Sequence, residues 1–158
     1  MKTISRYAAI VFVCIAGAGA AYAQSFAVRV EGKPPATFTT ADLAAMPRHT
    51  VTANQHGKQI TYEGVYLRDV LAKEGVPSGS GLRGTKLSTY VLATAQDGYA
   101  VVYALAETDP DFTDGDLLIA DKVGGPPNGP FRIVAPHDRK PARSLRMLKS
   151  IDVVQLVK

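Results

Sequence analysis

The chain has 158 residues but only one cysteine, Cys14, no tryptophan and three histidines. Each scarcity excludes a class. A single thiol cannot close an intrachain disulfide or build a thiolate zinc site, and no C-x-x-C redox pair exists. The histidines are His49, His56 and His137, with no H-x-H or H-x-x-x-H pair to hold a metal from one element. Ser144 stands between Arg143 and Leu145, outside any G-x-S-x-G elbow, which argues against a serine hydrolase. The net charge is +4 over the whole chain and +2 without Lys2 and Arg6, too mild for a nucleic-acid surface, and arginines do not interleave with aromatics. There is also no apolar run near the ~20 residues that span a bilayer.

A short apolar run without charge, Tyr7 to Ala20, follows Lys2 and Arg6 and precedes Ala21-Tyr22-Ala23. A basic start, a short apolar core and an A-x-A site are the pattern of a cleaved secretory leader. The expectation is a leader over 1–23, a mature domain over 24–158 and a periplasmic address. Cleavage would remove Cys14, Lys2 and Arg6, leaving 16 basic against 14 acidic residues. The remaining length suits one domain with its own core.

Along that domain the patterns are short and mostly β. Phe26, Val28 and Val30 alternate with Ala27 and Arg29, and "EGKPP" (31–35) ends the strand. Thr40 can cap a short helix over residues 41–46, stopped by Pro47. "HTVTAN" (49–54) and "KQITYE" (58–63) read as paired strands about Gly57. Leu67, Val70 and Leu71 have helical spacing, with Gly75 as the stop. A loop over 75–84 precedes two β-rich stretches, 86–95 and 99–105, around a two-residue Asp97-Gly98 turn. "LLIAD" (117–121), "FRIVA" (131–135) and "IDVVQLV" (151–157) supply further strands, and "GGPPNGP" (124–130) reads as a loop. The acids of "DPDFTDGD" (109–116) lack the twelfth-position ligand of a calcium loop and read as a solvated turn. The fold class expected is α+β, one β-rich domain with a mixed sheet and two or three short helices.

Four of these stretches, in order, resemble a known family. "TYEGVYLRDVLAKEGV" (61–76) is similar to the aromatic-x-Gly-Val-x-Leu-x-Asp-x-Leu segment of the sulfite-oxidase-type molybdopterin-binding domain. "DGYAVVYAL" (97–105) resembles its Asp-Gly-Tyr strand, "DLLIADKVGGPPNGPFRIVAP" (116–136) its Gly- and Pro-rich stretch before an arginine strand, and "RSLRMLKSIDVV" (143–154) its terminal segment. The resemblance covers about residues 26–158. It implies the sulfite-oxidase-type fold and a pterin or molybdopterin-like ligand. In catalytic members a cysteine thiolate upstream of the aromatic-x-Gly segment binds molybdenum. The matching window here, "VTANQHGKQ" (51–59), offers Asn54, Gln55 and His56 and no sulfur, so no metal is expected. Tyr62 replaces the family's usual tryptophan.

Small cysteine-free members of this type resemble periplasmic pterin-responsive regulators of membrane-bound cyclic-di-GMP enzymes. The resemblance therefore implies a monomeric, non-catalytic, exported pterin-binding module acting on a membrane-bound signalling partner. The alternatives are a molybdopterin-dependent oxidoreductase, or a subunit of a periplasmic redox complex, and a structural remnant without ligand. Candidate ligand contacts come from two sources. Residues 131–149 carry six Lys or Arg against one acid, Asp138. There Arg132 is a cation inside an apolar strand, costly unless paired, and Pro136 fixes the exit of His137 and Arg139, with Arg143 and Lys149 nearby. Guanidinium groups suit a phosphate or a pterin carbonyl edge. Tyr99 follows a turn glycine and offers a ring for stacking, while Asn54 and His56 occupy the window where the family has its cysteine. Asp97 reads as a turn residue rather than a base.

Overall fold

The computed structural model describes residues 24–124 and 127–156. The expected leader lies outside the described residues. Two sheets make the frame. The first has five strands in the order β2-β1-β9-β5-β6, formed by β1 (Ser25–Val30), β2 (Ala36–Thr39), β5 (Thr89–Ala95), β6 (Ala100–Ala104) and β9 (Leu148–Gln155). It is mixed, because β1 runs parallel to β9 while every other pair is antiparallel. The second sheet is antiparallel, in the order β3-β4-β7-β8, from β3 (His49–Gln55), β4 (Lys58–Tyr66), β7 (Leu118–Val123) and β8 (Pro127–Val134). With the helices α1 (Thr40–Ala44) and α2 (Leu67–Lys73) this is the α+β architecture expected.

Alternation of side chains explains where the core lies. Phe26, Val28, Val91, Ala93, Tyr103, Ile151 and Val153 point inward from the large sheet, and Val65, Ile119, Phe131 and Ile133 meet them from the small one. Phe131 packs edge-on against Phe26, with ring centroids 5.3 Å apart. Leu43 of α1 and Leu67, Val70 and Leu71 of α2 close the ends of this core. The small sheet is apolar on its other face too, where Val51, Ala53, Tyr62, Leu118, Ala120 and Val134 form a second cluster. Arg132 belongs to that second face by strand parity, opposite Ala120 in register.

Gly64 holds the small sheet together. The β4–β7 ladder shifts register between Glu63 and Gly64. A Cβ on Gly64 would lie 2.0 Å from the Ile119 carbonyl oxygen. The glycine of "TYEGVYL" is therefore required by a close strand approach at a bulge.

Several boundaries differ from the sequence reading. The helix cap is Thr39, not Thr40, because Asp42 completes a reciprocal box with Thr39: its carboxylate accepts the Thr39 N–H at 2.8 Å. The "GGPPNGP" loop is shorter than expected, since β8 starts at Pro127. A strand at the edge of its sheet can carry prolines without losing ladder bonds. The turn after β5 has three residues rather than two. Gly98 sits at φ 88° and donates to Ala95, while Ala95 donates to Tyr99 at 2.8 Å. β2 follows "EGKPP" directly and was not expected. Finally, Asp109 is not solvated. It is 2% exposed, and its carboxylate accepts the Asp111 N–H at 2.9 Å and the Gly79 N–H, so it ties two loops together.

Candidate functional site

A cleft of about 1030 Å³ opens on the outer face of the small sheet. Its floor is Ile60, Tyr62, Val123, Arg132 and Val134, and the β3–β4 hairpin contributes Gln55, His56 and Lys58. The facing wall is the β5–β6 tip, with Asp97 and Tyr99, and the stretch from Lys140 to Arg146.

Local folding explains each position. The β3–β4 hairpin turns through His56 at φ 52° and Gly57 at φ 84°, the paired left-handed conformation of the tight turn that matches strand twist. The Asn54 side chain accepts the Gly57 N–H at 2.8 Å. Arg132 leaves β8 beside Tyr62, its guanidinium 5.5 Å from the ring centroid. The wall is braced from several sides. The Tyr99 hydroxyl donates to the Ala142 carbonyl at 2.7 Å, and the Gln96 N–H donates to Met147 at 2.9 Å. The Ile133 N–H donates to Leu145 at 2.8 Å, and the Ala135 N–H to the Ser144 hydroxyl at 3.1 Å. Leu145 is fully buried beneath.

The electrostatics are one-sided. Lys58, Arg132, Lys140 and Arg146 line the cleft with His56, against the single carboxylate of Asp97. None of these four cations has a hydrogen bond or ion pair among the described residues. Arg48, at the other edge of the small sheet, is matched, whereas the exposed Arg83 and Arg139 have no partner among the described residues. Arg48 bonds both Asp121 and Glu63, and the Asp121 carboxylate raises its pKa. Lys122 bonds Glu63 at 2.7 Å, and that contact holds the Glu63 carboxyl below its usual range.

The expected site residues divide between this cleft and a second place. Arg132, Tyr99 and His56 line the cleft. His137 and Arg143 instead line a smaller hollow of about 160 Å³ with Glu107, Asp114, Asp116 and Asp138. There Arg143 Nε and Nη2 donate to Asp138 at 2.9 and 2.8 Å, and Nη1 to Glu107 at 2.7 Å. The Asp138 hydrogen bonds, followed by those to Glu107, raise the Arg143 pKa. His137 Nε2 lies 2.8 Å from Asp116 and 3.6 Å from Asp114. Asn54 is engaged in the hairpin turn, and Arg139 and Lys149 are exposed outside both hollows. The three histidines do not converge: His49 stacks on Tyr66 with centroids 3.9 Å apart, away from the other two. Gln55, Lys58, Tyr62, Lys140 and Arg146 are cleft residues that the sequence did not single out as contacts. Lys58 had one available signal, its place beside the tight hairpin turn.

No family model matches the chain, and no curated protein matches it. Among solved structures, the crystal structure of the sulfane dehydrogenase SoxCD from Paracoccus pantotrophus is similar, with a TM-score of 0.60 at 18% identity. The match takes in 82% of this chain and 38% of that one, so the present chain spans well under half of its neighbour. The fold is of the sulfite-oxidase type, as that structural likeness indicates.

Proposed function

We propose that the chain binds an anionic pterin of the molybdopterin type in the cleft above Tyr62. The observation that carries this reading is the set of four cations without acidic partners around two tyrosine rings. Unpaired guanidinium and ammonium groups suit a phosphate or carboxylate tail, and the Tyr99 ring, 51% exposed with its hydroxyl fastened, suits a flat heterocycle.

The cleft fits the organic part of such a cofactor and not its thiolate-bound metal. The window of residues 51–59 places Val51 and Ala53 in the small sheet's apolar cluster, uses Asn54 and Gly57 in the turn, and presents Gln55 and His56 to the cleft. None of these is a sulfur donor. The missing thiolate supports a non-catalytic binding role; export rests on the leader pattern of residues 1–23, and a sensory role read by a membrane-bound signalling partner rests on the resemblance to cysteine-free regulators. A second role, as an oxidoreductase or a subunit of a periplasmic redox complex, is favoured by the structural neighbour, which is a dehydrogenase. That comparison weighs on the side of the redox role.

Calorimetric titration with pterin-6-carboxylic acid tests the binding. Saturable 1:1 binding supports the reading, and no binding overturns it. Molybdenum analysis of protein from cofactor-competent cells, with dye-linked turnover, separates the roles: near one metal per chain together with turnover establishes the redox role. Export is checked by the intact mass of periplasmic protein, expected to begin at Gln24.

A further inference from the structure

The lone acid of the cleft is as unmatched as its cations. Asp97 shares the lining with Lys58, Arg132, Lys140 and Arg146, yet it makes no ion pair among the described residues. Its carboxylate is not loose. One oxygen accepts the Tyr99 N–H at 3.0 Å, which fixes the group on the three-residue turn. The adjoining Tyr99 ring is held at its far end by Ala142. A positioned carboxylate thus sits next to a positioned ring, with unpaired positive charge elsewhere in the same cleft. Such a lining is complementary to a dipolar ligand, one with an N–H edge on a flat ring and an anionic tail.

Resting on the pterin reading above, we infer that Asp97 selects the ring by its 2-amino-4-oxo edge. The ring N–H and the exocyclic amine present two parallel donors, the geometry in which a carboxylate recognises a guanidinium. The fixed oxygen retains a lone pair, and the second oxygen is free. A ring with a 2-oxo group in place of the amine turns an acceptor toward the carboxylate. The penalty is then repulsion between acceptors as well as a lost bond, which is how a polar site rejects a close isostere. Asp97 is a specificity-determining residue in this account, and the cations supply the bulk of the attraction.

The test compares pterin-6-carboxylic acid with lumazine-6-carboxylic acid, its 2-oxo counterpart, on the wild-type chain and on Asp97→Asn. The asparagine carbonyl can still accept the Tyr99 N–H, so the turn is kept, and an unchanged melting temperature verifies it. The wild type is expected to prefer the pterin by about 10- to 100-fold, and Asp97→Asn to reduce that preference to a few-fold. Equal binding of both probes by the wild type overturns the role of Asp97 and leaves the cationic cleft standing. Discrimination that persists in Asp97→Asn also overturns it. Failure of the wild type to bind either probe defeats the pterin reading itself.

Discussion

Arg132 and Arg143 come from the same basic stretch and serve two neighbouring hollows. Arg143 meets Asp138 and Glu107 through three hydrogen bonds of 2.7–2.9 Å, so its charge is spent within the chain. Arg132 has the face of Tyr62 at 5.5 Å and no acid among the described residues. A half-buried cation costs free energy unless something matches it. The first hollow matches its cation internally, and the second leaves the half-buried Arg132, with the exposed Lys58, Lys140 and Arg146, to whatever enters. The lesson is that a run of basic residues is not one feature. Its members are sorted by which acids the rest of the chain brings alongside.

The widest break in this comparison removes the frame common to both hollows. Gly64→Ala places a methyl group into the Ile119 carbonyl, and neither strand can yield without breaking the β4–β7 ladder. Chemical denaturation should show a loss of roughly 3 kcal/mol or more, or no folded protein. Wild-type stability in the Gly64→Ala variant would contradict the seam described here.

Next come the two arginines, whose effects should fall on different measurements. Arg132→Ala should weaken pterin binding by about 10- to 150-fold, the equivalent of roughly 1.5–3 kcal/mol for a charge-assisted hydrogen bond. Its stability should stay within about 0.5 kcal/mol of wild type, since no acidic partner is abandoned. Arg143→Ala should do the reverse. Its ion pairs are part-exposed and screened by solvent, so the loss of stability should be on the order of 1 kcal/mol. Binding should weaken only as far as the Lys140–Arg146 wall shifts. Parallel melting curves and titrations decide, and the comparison fails if the two variants change places.

The smallest effect sharpens the contrast by pH. Burial raises the pKa of Tyr103, whose hydroxyl donates to the Arg143 carbonyl. In the unfolded chain a tyrosine ionises near ~10. The neutral form is favoured by folding, so this contribution is whole below that pH and is lost as pH rises toward the folded value. The decline can approach ~1.4 kcal/mol per pH unit. Tyr103→Phe should flatten stability between about pH 10 and 11, at a cost near neutrality of about 1 kcal/mol for the missing hydrogen bond. Denaturation midpoints across pH 8–11 provide the check.

Most of the fold was legible because strands with one buried face write a period of two, as in Phe26, Val28 and Val30. The β3–β4 pairing was legible from two such runs about a glycine. β2 was not, being four residues long and directly preceded by prolines. Asp109 was misread because its burial depends on a distant loop at Gly79. In the site, Arg132 was visible as a cation amid apolar neighbours and Tyr99 by its place after a turn glycine. The division of His137 and Arg143 from Lys140 and Arg146 was invisible. It is decided by Glu107, Asp114 and Asp116, which reach the loop only through the tertiary fold.

The place of β9 in the large sheet bears on how the chain is made. It lies between β1 and β5, joining Ala27 to Ser150 on one side and Thr89 to Gln155 on the other. During synthesis the strands numbered first wait for the last. Until residues 148–155 leave the ribosome, β1 and β5 each present a bare row of amides and carbonyls to other nascent chains. Such late, long-range closure is slow and leaves an adhesive intermediate. The large sheet therefore cannot be completed between β1 and β5 until β9 has been made.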